Sequence, residues 1–120
     1  MAGDIRRGSI VWVEVSDPGQ DNEKIRPAIV VEISASQTLL LVCASTKFEA
    51  GNLREDEFYL PHANPPAKCN SGLTCPTVAK CRWIRKVAIG DVKSKCGYLT
   101  NDCLQAILAI AFKLNQRLPK

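Results

Sequence analysis

A chain of 120 residues that is 46% hydrophobic suits one compact domain spanning residues 1–120, with a modest core and little room for a second. Its formal charge of +4 permits a polyanionic partner without demanding one. No run approaches the roughly 20 apolar residues of a membrane helix, and "MAGDIRRGS" lacks the apolar segment of a signal peptide, so a cytoplasmic protein without membrane contact is expected.

In chain order, "SIVWVEV" (9–15) sets Ile10, Trp12 and Glu14 on one side and Val11, Val13 and Val15 on the other, the period-two pattern of a half-buried strand. "SDPGQDNEKI" follows with turn residues and both signs of charge, and reads as a long surface loop. "PAIVVEI" (27–33) is the second strand. "TLLLVCA" (38–44) is a buried third, joined to it across "SASQ" by a tight antiparallel connection.

The middle stretch, "STKFEAGNLREDEFYLPHANPPAKCNSGL", offers one short strand candidate, "EFYL", among charged and proline-rich connectors. "PTVAKCRWIRKV" resumes a strand in which Val78, Lys80, Arg82 and Ile84 share one side and Ala79, Cys81, Trp83 and Arg85 the other. Two cations then project together, either toward a ligand or as a solvated strand face. Trp12 and Trp83 fit core or rim positions better than base-stacking platforms.

Near the C-terminus Thr100 is placed to cap a helix, with Asp102 in its first turn, and "DCLQAILAIAFKLNQ" runs for about four turns. Leu104, Ile107, Leu108 and Ala111 form an apolar stripe that Cys103, Ile110 and Leu114 widen. A small sheet has difficulty covering so wide an arc. The surplus predicts a homodimer contact through Ile110 and Leu114, with full burial in the protein's own core as the other reading.

Six cysteines have no secretory context, and "CNSGLTCPTVAKC" spaces three of them six apart, unlike the C-x-x-C of common zinc sites. Reduced structural thiols are expected, with no metal and no cofactor. Zinc and disulfides are the alternatives. One helix, several short strands and no βαβ alternation predict a mainly β fold, a small and strongly bent antiparallel sheet or barrel with a C-terminal helix.

"RRGSIVWVEV", the polar loop, "KIRPAIVV", "LVCASTK" and "GYLTNDCLQAI" resemble, in this order, the MazF/PemK family of toxin endoribonucleases from type II toxin–antitoxin systems. The resemblance runs from Arg7 to about Phe112. It implies an SH3-like barrel, a homodimer, a cognate antitoxin, and metal-independent cleavage of single-stranded RNA, such as mRNA, by attack of the ribose 2′-hydroxyl on the adjacent phosphate. A phosphorane-like transition state gathers charge on its nonbridging oxygens and needs preorganised donors. Arg26 would supply them as a planar fork that stays charged, with Pro27 biasing it toward an extended backbone at the loop–strand seam. Thr46 matches the family's strand-end threonine, whose hydroxyl can donate to a phosphate oxygen.

On the same resemblance, Gln20, Lys24, Ser45, Lys47, Lys80 and Arg82 would contact the RNA. Gln20 stands roughly where some relatives carry a loop histidine, and Asp21 or Glu23 stands near an acidic loop residue. Glu23 is the candidate proton acceptor. The single histidine, His62, lies elsewhere, and "KCRW" places Arg82 where some relatives have an acid. Against these roles stand ordinary ones: Arg26 as a surface ion-pair partner, Thr46 bonding its own backbone, Glu23 as a solvated charge. A noncatalytic RNA- or protein-binding module is the alternative function. A CcdB-like gyrase poison ranks lower, because "NQRLPK" lacks the aromatic, glycine-containing terminus of that activity.

Overall fold

The computed structural model describes residues 5–16, 22–49, 51–63 and 70–115. The strands β1 (Ser9–Ser16), β2 (Glu23–Ile33), β3 (Thr38–Ser45), β4 (Glu57–Tyr59), β5 (Val78–Ala88) and β6 (Ser94–Tyr98) precede one helix, α1 (Asn101–Asn115). They form one antiparallel sheet in the order β4-β5-β3-β2-β1-β6, curled into a half-barrel. The expected mainly β fold with a terminal helix is present, with six strands instead of five.

Alternation along the strands divides the apolar residues between two clusters. Val11, Val13, Ala28, Val30, Leu39, Leu41 and Cys43 fill one face of the curled sheet. Ile10, Ile29, Val42 and Ala44 meet α1 on the other, where Leu104, Ile107, Ala111 and Leu114 are buried. On β5 the alternation does not run unbroken as the sequence suggests. A bulge opposite the Val42–Ala44 step lets Ala79, Cys81 and Ile84 join the helix-side cluster while Trp83 joins the other. Leu114 also departs from expectation: it is 5% exposed and belongs to the protein's own core, so it is not free to form an interface.

Helix α1 begins as its sequence requires. The Thr100 hydroxyl accepts from the Cys103 N–H (3.4 Å) and its carbonyl from Leu104 (3.0 Å), while Asp102 and Lys113 sit at the ends that suit their charges. The Arg-Gly step ahead of β1 is a junction. Arg7 Nε donates to the Val31 carbonyl (3.2 Å), the Gly8 N–H donates to Val30 (2.7 Å), and the Gly8 carbonyl accepts from Leu99 (2.8 Å). One short segment thus joins β2, β1 and the entry to α1.

Strand β6, polar and largely exposed, carries the segment that precedes β5. The Tyr98 N–H donates to the Asn70 carbonyl (2.9 Å), and the Cys96 thiol to that of Ser71 (3.3 Å). Two glycines make this approach possible. A Cβ on Gly72, whose φ is +73°, would lie 2.1 Å from the Cys96 carbonyl oxygen, and one on Gly97 would lie 2.4 Å from that of Asn70. Backbone cannot yield as a side-chain tip can. Gly97→Ala should therefore lower unfolding stability by about 2 kcal/mol, as overpacking does, read from the urea midpoint. Gly90→Ala, with nothing within 4 Å, should leave it unchanged.

Candidate functional site

Strand β2 begins four residues earlier than its apolar run, because Ser16, Val15, Glu14 and Val13 pair with Glu23, Lys24, Ile25 and Arg26. Arg26 therefore sits inside a strand and not at its seam with a loop. On the other side the β2–β3 ladder starts only at Ala28 and Cys43, directly after Pro27, which has no N–H to continue it. The last residues of β3, Ala44 and Ser45, pair with β5 alone. The two strands diverge beyond Pro27, and a cleft of about 160 Å³ opens between them.

Arg26 and Ile25 line one flank of this cleft, and Ser45 and Thr46 the other. Leu73, Thr74 and Cys75, from the segment fastened to β6, supply a third wall, and Trp12 reaches in from β1. That wall is braced within itself: the Ser71 hydroxyl donates to the Pro61 carbonyl (2.6 Å), the Ala63 N–H to Leu73 (2.9 Å), and the Thr77 hydroxyl to Cys75 (3.0 Å). The guanidinium is half-buried, Thr46 is exposed, and the Ser45 hydroxyl accepts from the Lys47 N–H (3.0 Å). A fixed cation with a hydroxyl across a narrow gap is suited to hold an oxyanion.

Arg26, Ser45 and Thr46 are thus the sequence candidates that share the cleft. Glu23 and Lys24 lie exposed at the far end of β2, and Glu23 lines a different crevice with Glu14, Lys86 and Lys93. Lys47 faces a larger crevice on the other side of Thr46, which Lys80 also lines. Gln20, Asp21 and Cys69 fall outside the described residues. Among the described residues no carboxylate or imidazole lines the cleft. His62 instead packs edge-on against Tyr59, with centroids 5.7 Å apart. Trp12, expected at a core or rim position, stands at the rim of the cleft, and Thr74 and Cys75 are cleft residues that neither motif nor periodicity signals.

The two β5 cations both reach the acidic 55–57 segment, each through a different carboxylate. Lys80 pairs with Glu57 directly across the β4–β5 ladder, and Arg82 meets Glu55 (3.2 Å) and Asp56 (3.8 Å). Glu57 also accepts from the Arg54 N–H (2.8 Å). That backbone bond first, and Lys80 second, hold its carboxyl below the ordinary value of 4.5 although burial opposes them. Burial, with the Asp56 carboxylate adding to it, pushes the Cys81 thiol up to about 12, so Cys81 stays a protonated core residue.

A carboxyl whose folded value is depressed stabilises the fold above its unfolded value, and that contribution is lost as pH falls through the folded one. Acidification below about 4.5 should therefore lower the wild-type urea midpoint more steeply than that of Glu57→Gln. Parallel slopes would show that the ionised Glu57 carboxylate, with its Arg54 and Lys80 contacts, contributes nothing to folding.

Among solved structures, the Mycobacterium tuberculosis toxin MazF-mt6 superposes with a TM-score of 0.65 at 17% identity, covering 93% of this chain and 99% of that one. MazF from Deinococcus radiodurans gives 0.68 at 16% identity over 91% and 94%. A mycobacterial endoribonuclease in complex with its cognate antitoxin gives 0.64 at 13% identity over 94% and 97%. These identities establish a shared fold. Compared by sequence alone with curated proteins, the chain has no match. The model of the PemK-like, MazF-like toxins of type II toxin–antitoxin systems matches residues 6–112. The chain belongs to that family.

Proposed function

We propose that this protein is a toxin endoribonuclease that cuts single-stranded RNA in the cytoplasm, sequence-selectively and without a metal, and is held in check by a cognate antitoxin. The observation that carries the reading is the convergence of Arg26, within β2, and Thr46, the residue after the end of β3, on one narrow cleft in a chain of this family. The ribose 2′-hydroxyl gives up its proton to water and its oxygen attacks the adjacent phosphorus; an O2′–P bond forms, the P–O5′ bond breaks, and the leaving 5′-oxygen takes a proton from water. Negative charge rises on the nonbridging oxygens as this happens. The Arg26 fork and the Thr46 hydroxyl are suited to meet it, in a site whose walls are already fixed.

Glu23 lines another crevice, away from the Arg26 cleft, and takes no part in this reading as proton acceptor. The antitoxin assignment is supported by the MazE–MazF and toxin–antitoxin complexes among the structural neighbours. A homodimer is supported by one face of α1. Leu108 is only half-buried, and Phe112, one turn later, is 67% exposed.

Wild-type protein should cut mixed-sequence RNA in EDTA and leave a 2′,3′-cyclic phosphate and a 5′-hydroxyl. Arg26→Ala should slow cleavage by on the order of 10², the cost of losing a preorganised donor, and Thr46→Val by less. A folded Arg26→Ala protein that cuts at the wild-type rate would overturn the assignment. RNA binding without cleavage of any sequence would favour the noncatalytic module. For the dimer, light scattering at micromolar concentration should give twice the chain mass for wild type and a shift toward monomer for Phe112→Glu. A monomeric wild type would remove the interface from α1.

A further inference from the structure

Thr46 closes one side of the cleft, and the chain passes directly from it into the larger crevice. Lys47 and Phe48 line one side of this second depression, Arg54, Asp56 and Glu57 another, and Lys80 reaches in from β5, around a space of about 670 Å³. We propose that this crevice is a subsite for one base of single-stranded RNA next to the scissile phosphate. Phe48 is its stacking surface, and the 54–57 turn with Lys80 reads the base edge. The proposal rests on the reading of the Arg26 cleft as an RNA-cleaving site and assigns part of its sequence selectivity.

Size and chemistry separate the two depressions. About 160 Å³ suits a phosphate-sized group, whereas about 670 Å³ lies within the range of small-molecule sites and accommodates a nucleoside. A phosphate site would be lined by donors and cations alone. Here Asn52 and Asp56 line the crevice together with Lys80, while Glu57, its side chain 3% exposed and its two oxygens engaged by the Arg54 N–H and by Lys80, holds Lys80 in place. Base edges present donors and acceptors together, and a wall with both matches them. Phe48 supplies the flat apolar surface that an unstacked base needs. Its ring is braced edge-on by Tyr59 at 5.7 Å, and Tyr59 in turn by His62 at 5.7 Å.

Continuity places the subsite beside the chemistry. Thr46 and Phe48 are two residues apart, at most roughly 7 Å of extended chain. A nucleotide whose phosphate lies between Arg26 and Thr46 therefore has a neighbour within reach of Phe48. Lys47, exposed between them, is placed for the connecting phosphate.

The test uses two randomised pools. With RNA, sequencing of the cut ends gives the base preference at each position. With 2′-O-methyl RNA, which cannot be cut by this route, sequencing of the retained fraction gives the preference in binding alone. Phe48→Ala and Phe48→Leu, checked for an unchanged thermal midpoint, should lose preference at one position flanking the cut and weaken binding of the preferred sequence about tenfold. Arg26→Ala should slow cutting by on the order of 10² yet keep that preference in the binding pool. Cleavage by wild type with identical profiles in both Phe48 variants would overturn the subsite and leave the cleavage reading standing. No cleavage, with binding that depends on Phe48, would do the reverse. If wild type neither cuts one pool nor selects from the other, both fall.

Discussion

The geometry of the cleft depends on the absence of one hydrogen-bond donor. Had residue 27 carried an N–H, the β2–β3 ladder could continue past Ala28 and Cys43, and Arg26 would come against Ser45 in a closed pair of strands. Burying a guanidinium inside a closed ladder would cost several kcal/mol. Proline removes that outcome locally. The strands part where the cation lies, β2 leans on β1, β3 leans on β5, and the space between stays open. The backbone chemistry of Pro27 and the charge of Arg26 belong to one device, which explains why the dipeptide matters more than either residue.

An open gap between two diverging strands would still be a shallow surface without its third wall. That wall is a segment with no regular secondary structure, and its order comes from backbone contacts with β6 and the chain around Pro61. Gly72 and Gly97 allow two main chains to touch where any side chain would hold them apart. β6 is short, polar and at the sheet edge. Its importance lies in what it holds: the wall at one side, and through Leu99 and Gly8 the entry to α1 at the other.

What the sequence disclosed followed from local rules. The alternation of "SIVWVEV", the run "TLLLVCA", the turn at "SASQ" and the Thr100 cap each depend on neighbours within a few residues, and each is present. What stayed hidden depended on long-range contacts. "SKCGY" has no apolar alternation, so nothing local distinguishes β6 from a loop. The first residues of β2 are exposed and charged, and only their pairing with β1 makes them strand. The β5 bulge breaks the period-two assumption at the point where it was used to place Trp83 with Cys81. Leu114 looks surplus in the sequence because nothing local shows that the helix-side cluster spans β1, β2, β3 and β5 and has room for it. For the cleft, Arg26 and Thr46 were legible because a family motif marks them, whereas Thr74 and Cys75 arrive through a tertiary contact with no sequence signature.

Charge is distributed so that the two depressions present different fields. Arg26 lines a narrow cleft with Ser45 and Thr46, and the described residues lining that cleft include no acid. Across Thr46, Lys80 and Arg82 each face a carboxylate within 4 Å, so their fields largely cancel over a Debye length of about 8 Å. Such a wall attracts a polyanion weakly, yet it offers fixed donors and acceptors at short range, where hydrogen-bond geometry discriminates between partners. Potential would gather the phosphate at Arg26, and compensated polar groups would judge what lies beside it. A net charge of only +4 on the whole chain is consistent with this division, because attraction is needed at one narrow point and not across the surface.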